Sequence, residues 1–471
     1  MTELATAVCS ALILGLIWLD RNPRVRTSWA LWIVQVWFFF ACSRPLARWL
    51  GIEDAEGSFT AQLSEGSPVD RFVGIILLLL ALSVLLQRRR KLTQHLQHNW
   101  PIILFFAYCL VSILWSDFPM VSFKRWIRLV GDLLMVLIVW TDRHPFDAFK
   151  RLLSRAAFTL IPLSILLIKY YPSLGRVYGL FLGEVMYTGV ATGKNELGAI
   201  SMLFGIASVW QILNLLGRKQ SANNRWQHLS AYTILLAMVL WLIYSAESMT
   251  ALSCFLLGSF SLLCMRLSFF TKSRFSIHAL SFAMVFIPAS VALLGASPAA
   301  LEAIGRNPSL TDRTLIWSQV VKLVPNRWIG SGYASFWLGG RLETMILNVT
   351  HHWVPNQAHN GYLEIYANLG WIGVALLSFV LFGGYWRVVH RFARDVPASH
   401  LLLSYFLVGL VSNITEASFF RIAIPVWLFF LFAVTAPQAC FERTSRKTAA
   451  VSPTIYSPTE GVRSDDVFQA I

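Results

Sequence analysis

The chain has 471 residues, of which 56% are hydrophobic and only 13% are charged, and its formal net charge is +15. Soluble globular chains carry about 25% charged residues. A cytosolic enzyme, a secreted module and a disordered protein are therefore excluded as descriptions of the whole chain.

Apolar stretches long enough to cross a bilayer recur along the chain and predict an all-α integral membrane protein with about 12–13 transmembrane helices. These predicted spans fall at 3–19, 28–43, 71–87, 100–116, 125–141, 154–171, 196–214, 229–245, 249–265, 276–296, 366–386, 399–415 and 421–437.

Short basic connections alternate with the predicted spans, as at Arg88–Lys91 and Arg387–Arg394. The positive-inside rule assigns these connections to the cytoplasm. The N-terminus and the long segment 297–365 are then expected on the outer face. Residues 441–471 are polar and rich in Ser, Thr and Pro, which predicts a disordered cytoplasmic tail.

The segment 297–365 is too long for a simple connector, and loops of this size are typically functional or disordered. Its Trp, Gly and Pro content and a helix-like stretch at 311–324 favour an ordered loop, with Arg313 and Trp317 on one helix face. The predicted organisation is transmembrane helices 1–10 in 1–296, a periplasmic catalytic loop in 297–365, further transmembrane helices in 366–440 and the tail in 441–471.

Several Lys and Arg residues lie at the outer ends of spans, where the positive-inside rule disfavours them. Arg guanidinium binds phosphate oxygens in a bidentate manner, so a lipid diphosphate headgroup fits this charge. For any single Arg, the alternative is pairing with a carboxylate or extension of the side chain towards water. These outer cations are Lys124, Arg125, Arg128, Arg176, Lys194, Arg306, Arg313, Arg341 and Arg421.

His359 lies shortly before the predicted span at 366. A neutral imidazole can take a proton from a sugar hydroxyl near neutral pH. A zinc site with His351 and His352 is the first alternative, but the i, i+4 helical pairing of zinc hydrolases is missing and no Cys joins the cluster. A structural His near the start of a helix is the second alternative.

The segment Thr188–Gly198 leads into the predicted span at 196. It differs from a phosphate loop in its glycine spacing and because Asn195 replaces the Ser or Thr. Backbone amides at the start of the helix, together with Lys194, can still hold an anion.

Taken together, these segments resemble the O-antigen ligase / Wzy-type polymerase superfamily of bacterial membrane glycan-assembly proteins, with most likeness to the succinoglycan-type exopolysaccharide polymerases. The turn at Glu247 departs from the pattern, because relatives often have a basic residue there. The matching elements are Trp115-Ser-Asp117 with Arg125, Gly193-Lys194-Asn195-Glu-Leu-Gly198, Ser245 to Thr250, Arg313 with Trp317, Gly330-x-Gly332, Ala358-His359-Asn360-x-Tyr362-Leu363, Leu369-Gly370-x-x-Gly373 and Asn413-Ile-Thr-Glu416.

The resemblance implies a GT-C-like fold in the bacterial inner membrane and glycosyl transfer without metal or cofactor. It implies that His359 activates the acceptor hydroxyl and that Arg313 binds the donor diphosphate, with Asp117 and Glu416 orienting the cations. Further substrate-binding residues implied in the same way are Arg125, Arg176, Lys194, Asn195, Asn360, Tyr362, Arg306 and Glu416.

The function expected from this resemblance is polymerisation of undecaprenyl-diphosphate-linked oligosaccharide repeats into exopolysaccharide at the periplasmic face. Membrane lipids, a chain-length regulator and export proteins are the expected partners, and nucleic acid is not. One alternative is an O-antigen ligase that moves the glycan to lipid A core or protein. A polysaccharide transporter is disfavoured, because charged residues gather at the outer span ends and in the loop rather than at mid-membrane.

Overall fold

The computed structural model describes residues 1–20, 27–52, 67–178, 183–217, 222–294, 311–350, 354–392 and 397–437. Some of the predictions lie outside these residues: the end of the span 276–296, the first part of the loop at 297–310 with Arg306, the histidine pair 351–352 and the tail 441–471. Every predicted apolar stretch contains a helix within the described residues. The helices are α1 (Thr2–Leu19), α2 (Leu31–Ala41), α3 (Leu46–Trp49), α4 (Pro68–Gln87), α5 (Arg89–His98), α6 (Trp100–Val111), α7 (Pro119–Trp140), α8 (Pro145–Tyr170), α9 (Pro172–Gly175), α10 (Lys194–Gly217), α11 (Ala222–Ala246), α12 (Met249–Cys264), α13 (Ser268–Lys272), α14 (Arg274–Leu294), α15 (Thr311–Leu323), α16 (Gly339–Met345), α17 (Gly361–Phe392), α18 (Pro397–Thr415) and α19 (Pro425–Thr435).

Over the described residues, seven helices are long and apolar enough to cross a membrane: α1, α4, α8, α10, α11, α17 and α18. The pair α5–α6 adds an eighth span if its 89° bend is part of one broken crossing. Four more apolar segments, in α2, α12, α14 and α19, are shorter. Helix α7 is 22 residues long but carries Lys124, Arg125, Arg128 and Asp132. The chain is therefore a multi-pass, all-α membrane protein, as predicted.

Helix α19 is short, but it is among the most buried helices of the described residues. Every residue of α19 is buried, although the helix has only 11 residues. Its Phe429 contacts Phe38 of α2, with 5.4 Å between ring centroids, and Phe204 of α10, with 5.6 Å between centroids. Helix α19 therefore packs against protein rather than lipid, and its length need not match the bilayer thickness.

The only strands in the described residues form a short antiparallel hairpin between α9 and α10. Strand β1 (Arg176–Tyr178) pairs with β2 (Val185–Tyr187), with Val177 opposite Met186. Arg44, 4% exposed, supports the chain beside this hairpin because its guanidinium donates to the carbonyl oxygens of Leu174, Gly189, Val190 and Ala191. The hairpin was not predicted from the sequence.

The described part of the large loop is folded and has a small core of its own. Helix α15 confirms the helix predicted at 311–324, and α16 is followed by a π-helical turn at Ile346–Thr350. Apolar side chains of α15, α16, the segment between them and the segment before α17 pack together with α17. This cluster consists of Ile316, Val320, Phe336, Trp337, Met345, Ala358 and Ala367.

The loop is joined to a break within α17. Gly370 has φ 65° and ψ −165°, which interrupts the helix. Segment 327–332 supplies partners there: the amides of Ser331 and Gly332 donate to Ala367 and Asn368, while Trp371 and Ile372 donate back to 327 and 328. A broken helix leaves backbone groups unpaired. These four bonds pair the groups freed by the break, and they also hold the loop against α17.

Candidate active site

The carboxylate of Glu416 joins the residues that were predicted to carry chemistry. Its Oε2 lies 3.2 Å from Nδ1 of His359, and its Oε1 lies 3.5 Å from Nη2 of Arg313. The three side chains are 19% to 26% exposed. A substrate can therefore reach them, although each is held by protein contacts.

Glu416 owes its position to the turn that follows α18. Asn413 organises this turn: its Oδ1 accepts from the amides of Ser418 and Phe419 at 2.9 and 3.0 Å, and its Nδ2 donates to Gly409. The first residue of α17, Gly361, packs directly against Asn413. A Cβ at Gly361 would lie 1.9 Å from Oδ1 of Asn413. The close approach brings the His359 segment next to Glu416.

His359 lies in a constrained backbone segment. Its φ is +50°, a left-handed conformation that is uncommon for residues other than glycine. The preceding residue, Ala358, is fixed from both sides: its amide donates to Oε2 of Glu364 at 2.9 Å, and its carbonyl accepts from the indole of Trp317 at 2.8 Å. Strained residues persist where the surroundings determine their conformation, and they are frequent at active sites.

Glu364 is the buried anchor of this segment. It is 5% exposed, and it accepts bonds from Nε1 of Trp337 at 2.8 Å and from Nδ2 of Asn368 at 3.2 Å. With the Ala358 amide, it connects the loop, the histidine segment and the first turns of α17. Sequence reasoning did not assign it a role, because it lies two residues before the predicted span at 366–386 and only the structure places it within α17.

Arg313 lies in the first turn of α15, and Trp317 follows one turn later. Because residues i and i+4 share a helix face, α15 can direct Arg313 towards Glu416 while Trp317 bonds to Ala358. The shared face was predicted, but the partners of the two side chains were not.

Gln357 and Arg421 extend the cluster. Nε2 of Gln357 lies 3.4 Å from Oε2 of Glu416, and its Oε1 accepts from Arg421 at 2.7 Å. Arg421 also donates to the carbonyls of Ala417 and Asn356. Gln357 was missed in the sequence, although it lies two residues before His359.

A second cationic group lies at the outer end of α7. Arg341 of the loop forms an ion pair with Asp117 at 2.5 Å and donates to the carbonyls of Ser335 and Phe336. Arg125 of α7 donates to the carbonyl of Ala334. The loop is tied down here as well, since the buried phenol of Tyr333 donates to the carbonyl of Phe420 at 2.9 Å. Burial raises the pKa of Tyr333 well above its usual value, so the phenol remains a neutral donor.

The remaining predicted site residues have local contacts of their own. Asn360 caps α17, since its Oδ1 accepts from the amides of Tyr362 and Leu363 at 3.0 Å. The hydroxyl of Tyr362 donates to Leu410, and its ring packs on Phe419. These contacts stabilise the start of α17, and binding of substrate by Asn360 or Tyr362 stays a prediction.

Three residues that were predicted to bind the donor, Arg176, Lys194 and Asn195, lie on elements that do not carry the Glu416 cluster. Arg176, on β1, donates to Ile168 at 2.9 Å and stands 5.7 Å from the Tyr187 ring centroid. Lys194 and Asn195 begin α10, where Glu196 caps the turn by accepting from the Thr192 amide. In the described part of the chain, no hydrogen bond or ion pair joins Arg176, Lys194 or Asn195 to the Glu416 cluster.

Comparison with known proteins adds two matches. Residues 222–378 match the family model Wzy_C, described as O-antigen ligase. The resemblance to the O-antigen ligase / Wzy-type polymerase superfamily is confirmed. The chain is also 24% identical over 322 residues to the exopolysaccharide production protein ExoQ of Rhizobium meliloti (strain 1021). The aligned region covers 66% of this chain and 70% of that protein.

The segment that matches this family includes Arg313 and His359 but ends before Glu416. The cluster thus combines two residues from the family segment with a carboxylate from the end of α18. Together with the multiple apolar helices, these matches point to a multi-pass bacterial membrane protein, and the matching family favours a membrane glycosyltransferase-like activity.

Proposed function

We propose that this protein polymerises undecaprenyl-diphosphate-linked oligosaccharide repeats into exopolysaccharide at the periplasmic face of the inner membrane. The observation that carries the proposal is the Glu416 carboxylate, which contacts both a candidate base, His359, and a candidate diphosphate ligand, Arg313. The similarity to ExoQ, whose name refers to exopolysaccharide production, supports the choice of product.

In the proposed reaction, His359 accepts the proton of the attacking hydroxyl. A carboxylate can only accept hydrogen bonds, so the contact with Glu416 favours the tautomer with hydrogen on Nδ1 and the lone pair on Nε2. The hydroxyl belongs to an incoming lipid-linked repeat. Its oxygen forms the new bond to the anomeric carbon of the growing chain as its proton passes to Nε2.

The bond from that anomeric carbon to the diphosphate oxygen breaks in the same displacement, which leaves undecaprenyl diphosphate. Negative charge develops on the departing oxygen. Arg313 stabilises that charge through its guanidinium donors, which match phosphate oxygens in geometry. Attack from the face opposite the leaving group would invert the anomeric configuration. Arg125, Arg176, Lys194 and Arg306 are proposed as further contacts for the anionic donor.

The decisive experiment is a deletion strain whose lipid-linked glycans are analysed by mass spectrometry after complementation. We expect single lipid-linked repeats to accumulate without the protein, and polymer to return with the wild-type gene. The His359→Ala variant should reach the membrane at normal levels and restore no polymer. Polymer of normal length from His359→Ala would remove His359 from the mechanism.

An O-antigen ligase is the second candidate function, favoured by the description of the matching family. Both activities use the same donor and differ in the acceptor. A ligase transfers finished chains to lipid A core or protein, so its deletion should leave long lipid-linked chains rather than single repeats. The same strain therefore separates the two candidates.

A further inference from the structure

Two arginines and two histidines lie close together at the C-terminal end of α17, the end far from His359. Arg387 and Arg391 lie one turn apart on α17, next to His95 and His98 of α5. Arg391 is 4% exposed and His95 is 8% exposed. Within the described residues, neither arginine forms an ion pair with a carboxylate. Buried charges in proteins are normally paired, so this cluster lacks an anion among the side chains that the structure describes.

The hydrogen bonds of the two arginines are incomplete. Arg391 donates from Nη2 to the carbonyl of Ala436, but its Nε and Nη1 are buried without a partner. Arg387 donates to the carbonyls of His98 at 3.1 Å and Val434 at 3.2 Å, and its Nε has no partner. Carbonyl oxygens alone do not satisfy this concentration of positive charge.

Arg387 provides the accessible side of the cluster. Its bond to His98 lies at the protein surface, whereas Arg391 is buried. An anion at the surface would contact the Arg387 guanidinium, and Arg391 would add positive potential from inside.

The surface beside Arg387 is strongly apolar. On α17, Phe379, Phe382 and Trp386 are 59%, 70% and 54% exposed. The rings of Phe382 and Trp386 stack with 6.5 Å between their centroids. Exposed aromatic rings at the end of a membrane helix are typical of the bilayer interface, where acyl chains meet headgroups. A phosphate bound at Arg387 would therefore have hydrocarbon immediately next to it.

We propose that Arg387 binds the phosphate of an anionic phospholipid in the leaflet that the positive-inside rule assigns to the cytoplasm, with the acyl chains along Phe382 and Trp386. Basic pockets between helices on this side of a membrane are suited to acidic headgroups. The apolar strip favours a lipid over soluble phosphate, which shares the same anionic chemistry. This site is separate from the Glu416 cluster.

The test uses the full-length protein, purified in a neutral detergent and stripped of lipid, with its unfolding midpoint measured in three additions. These are phosphatidylglycerol, phosphatidylcholine and inorganic phosphate. Phosphatidylglycerol should raise the midpoint by several °C, because a ligand that binds only the folded state stabilises it. The other two additions should leave it unchanged.

Arg387→Gln should lose at least half of that shift, and native mass spectrometry should show one fewer retained phosphatidylglycerol. Arg225→Gln is the matched control, because Arg225 lies at the start of α11, at an end of the helix that the positive-inside rule also assigns to the cytoplasm, and among the described residues it donates to the carbonyl of Leu216. It should respond like the wild type. If Arg387→Gln cannot be purified, Arg387→Lys keeps the charge without the bidentate geometry and should bind fewer lipids.

Equal lipid retention and equal shifts in wild type and the Arg387 variant would overturn the site. A full shift with inorganic phosphate alone would overturn the lipid as its occupant. An equal response to phosphatidylcholine would show that hydrocarbon contact, not the anion, produces the effect.

Discussion

Replacing Glu416 by Gln tests whether this carboxylate positions the proposed base. The amide has nearly the same shape, but it has one acceptor oxygen and no charge. It therefore cannot accept from both His359, at 3.2 Å, and Arg313, at 3.5 Å. We expect the variant to fold, because the turn that carries residue 416 is held by Asn413 rather than by Glu416 itself.

The two contacts contribute unequally. The Arg313 contact is long and about a quarter exposed, and ion pairs of this kind contribute about 0.2–1 kcal/mol. Loss of the group that orients a functional histidine at a metal site costs roughly 10- to 100-fold, which corresponds to about 1.4–2.7 kcal/mol of barrier. Taking that case as a guide, the histidine contact should dominate and the rate of polymerisation should fall by roughly 10- to 100-fold.

The assay is polymerisation of purified lipid-linked repeats by the protein in lipid nanodiscs. A positioning role for Glu416 predicts that kcat falls while KM stays within about twofold, because the effect lies in the chemical step. Glu416→Asp should recover part of the rate. Glu343→Gln is the matched control, since Glu343 is an exposed carboxylate of the same loop, and it should behave like the wild type. Wild-type kcat in Glu416→Gln would refute the reasoning.

Three further substitutions, one of them with a matched control, test other parts of the site. Arg313→Lys should lower kcat/KM about tenfold despite its retained charge, because an ammonium cannot form the bidentate contact; wild-type kinetics would contradict the diphosphate role. Gly361→Ala should abolish the folded protein on size-exclusion chromatography, because its Cβ would lie 1.9 Å from Oδ1 of Asn413. Gly340→Ala, which meets no atom within 4 Å, should be tolerated. Asn360→Ala should lower the free energy of unfolding by about 1 kcal/mol through loss of the helix cap, measured by denaturant titration in micelles; unchanged stability would show that the cap is dispensable.

The positions of the apolar helices could be predicted from the sequence, because hydrophobicity determines them. A bilayer requires apolar segments of defined length, so the run at 421–437 was recognised as a helix. That α19 is short and wholly buried was not predictable, because an apolar run has the same composition whether it faces lipid or protein. The start of α17 at 361 instead of 366 has a local cause, since the Asn360 cap begins the helix among polar residues.

The candidate site was predictable in its residue types but not in its assembly. His359 and Arg313 were identified from the loop, and Glu416 from the resemblance, yet their contact depends on the turn at Asn413 meeting Gly361. Such contacts between distant segments leave no periodic signal in a single sequence. Local pattern also could not show that Asn360 would cap a helix or that Arg176 would bond to its own segment.

The charges around Glu416 indicate how a diphosphate would be held. Glu416 offsets the positive charge of Arg313, so counting outer cations alone overstates the attraction for an anion. Arg421 differs, because its described bonds go to Gln357 and to two carbonyl oxygens, none of which is charged. With Glu416 ionised, Arg313 and Arg421 leave this group with one net positive charge before His359 is protonated. When His359 takes a proton from the acceptor, that charge rises as the leaving group becomes more negative, so the cluster favours the products of bond cleavage over the bound donor.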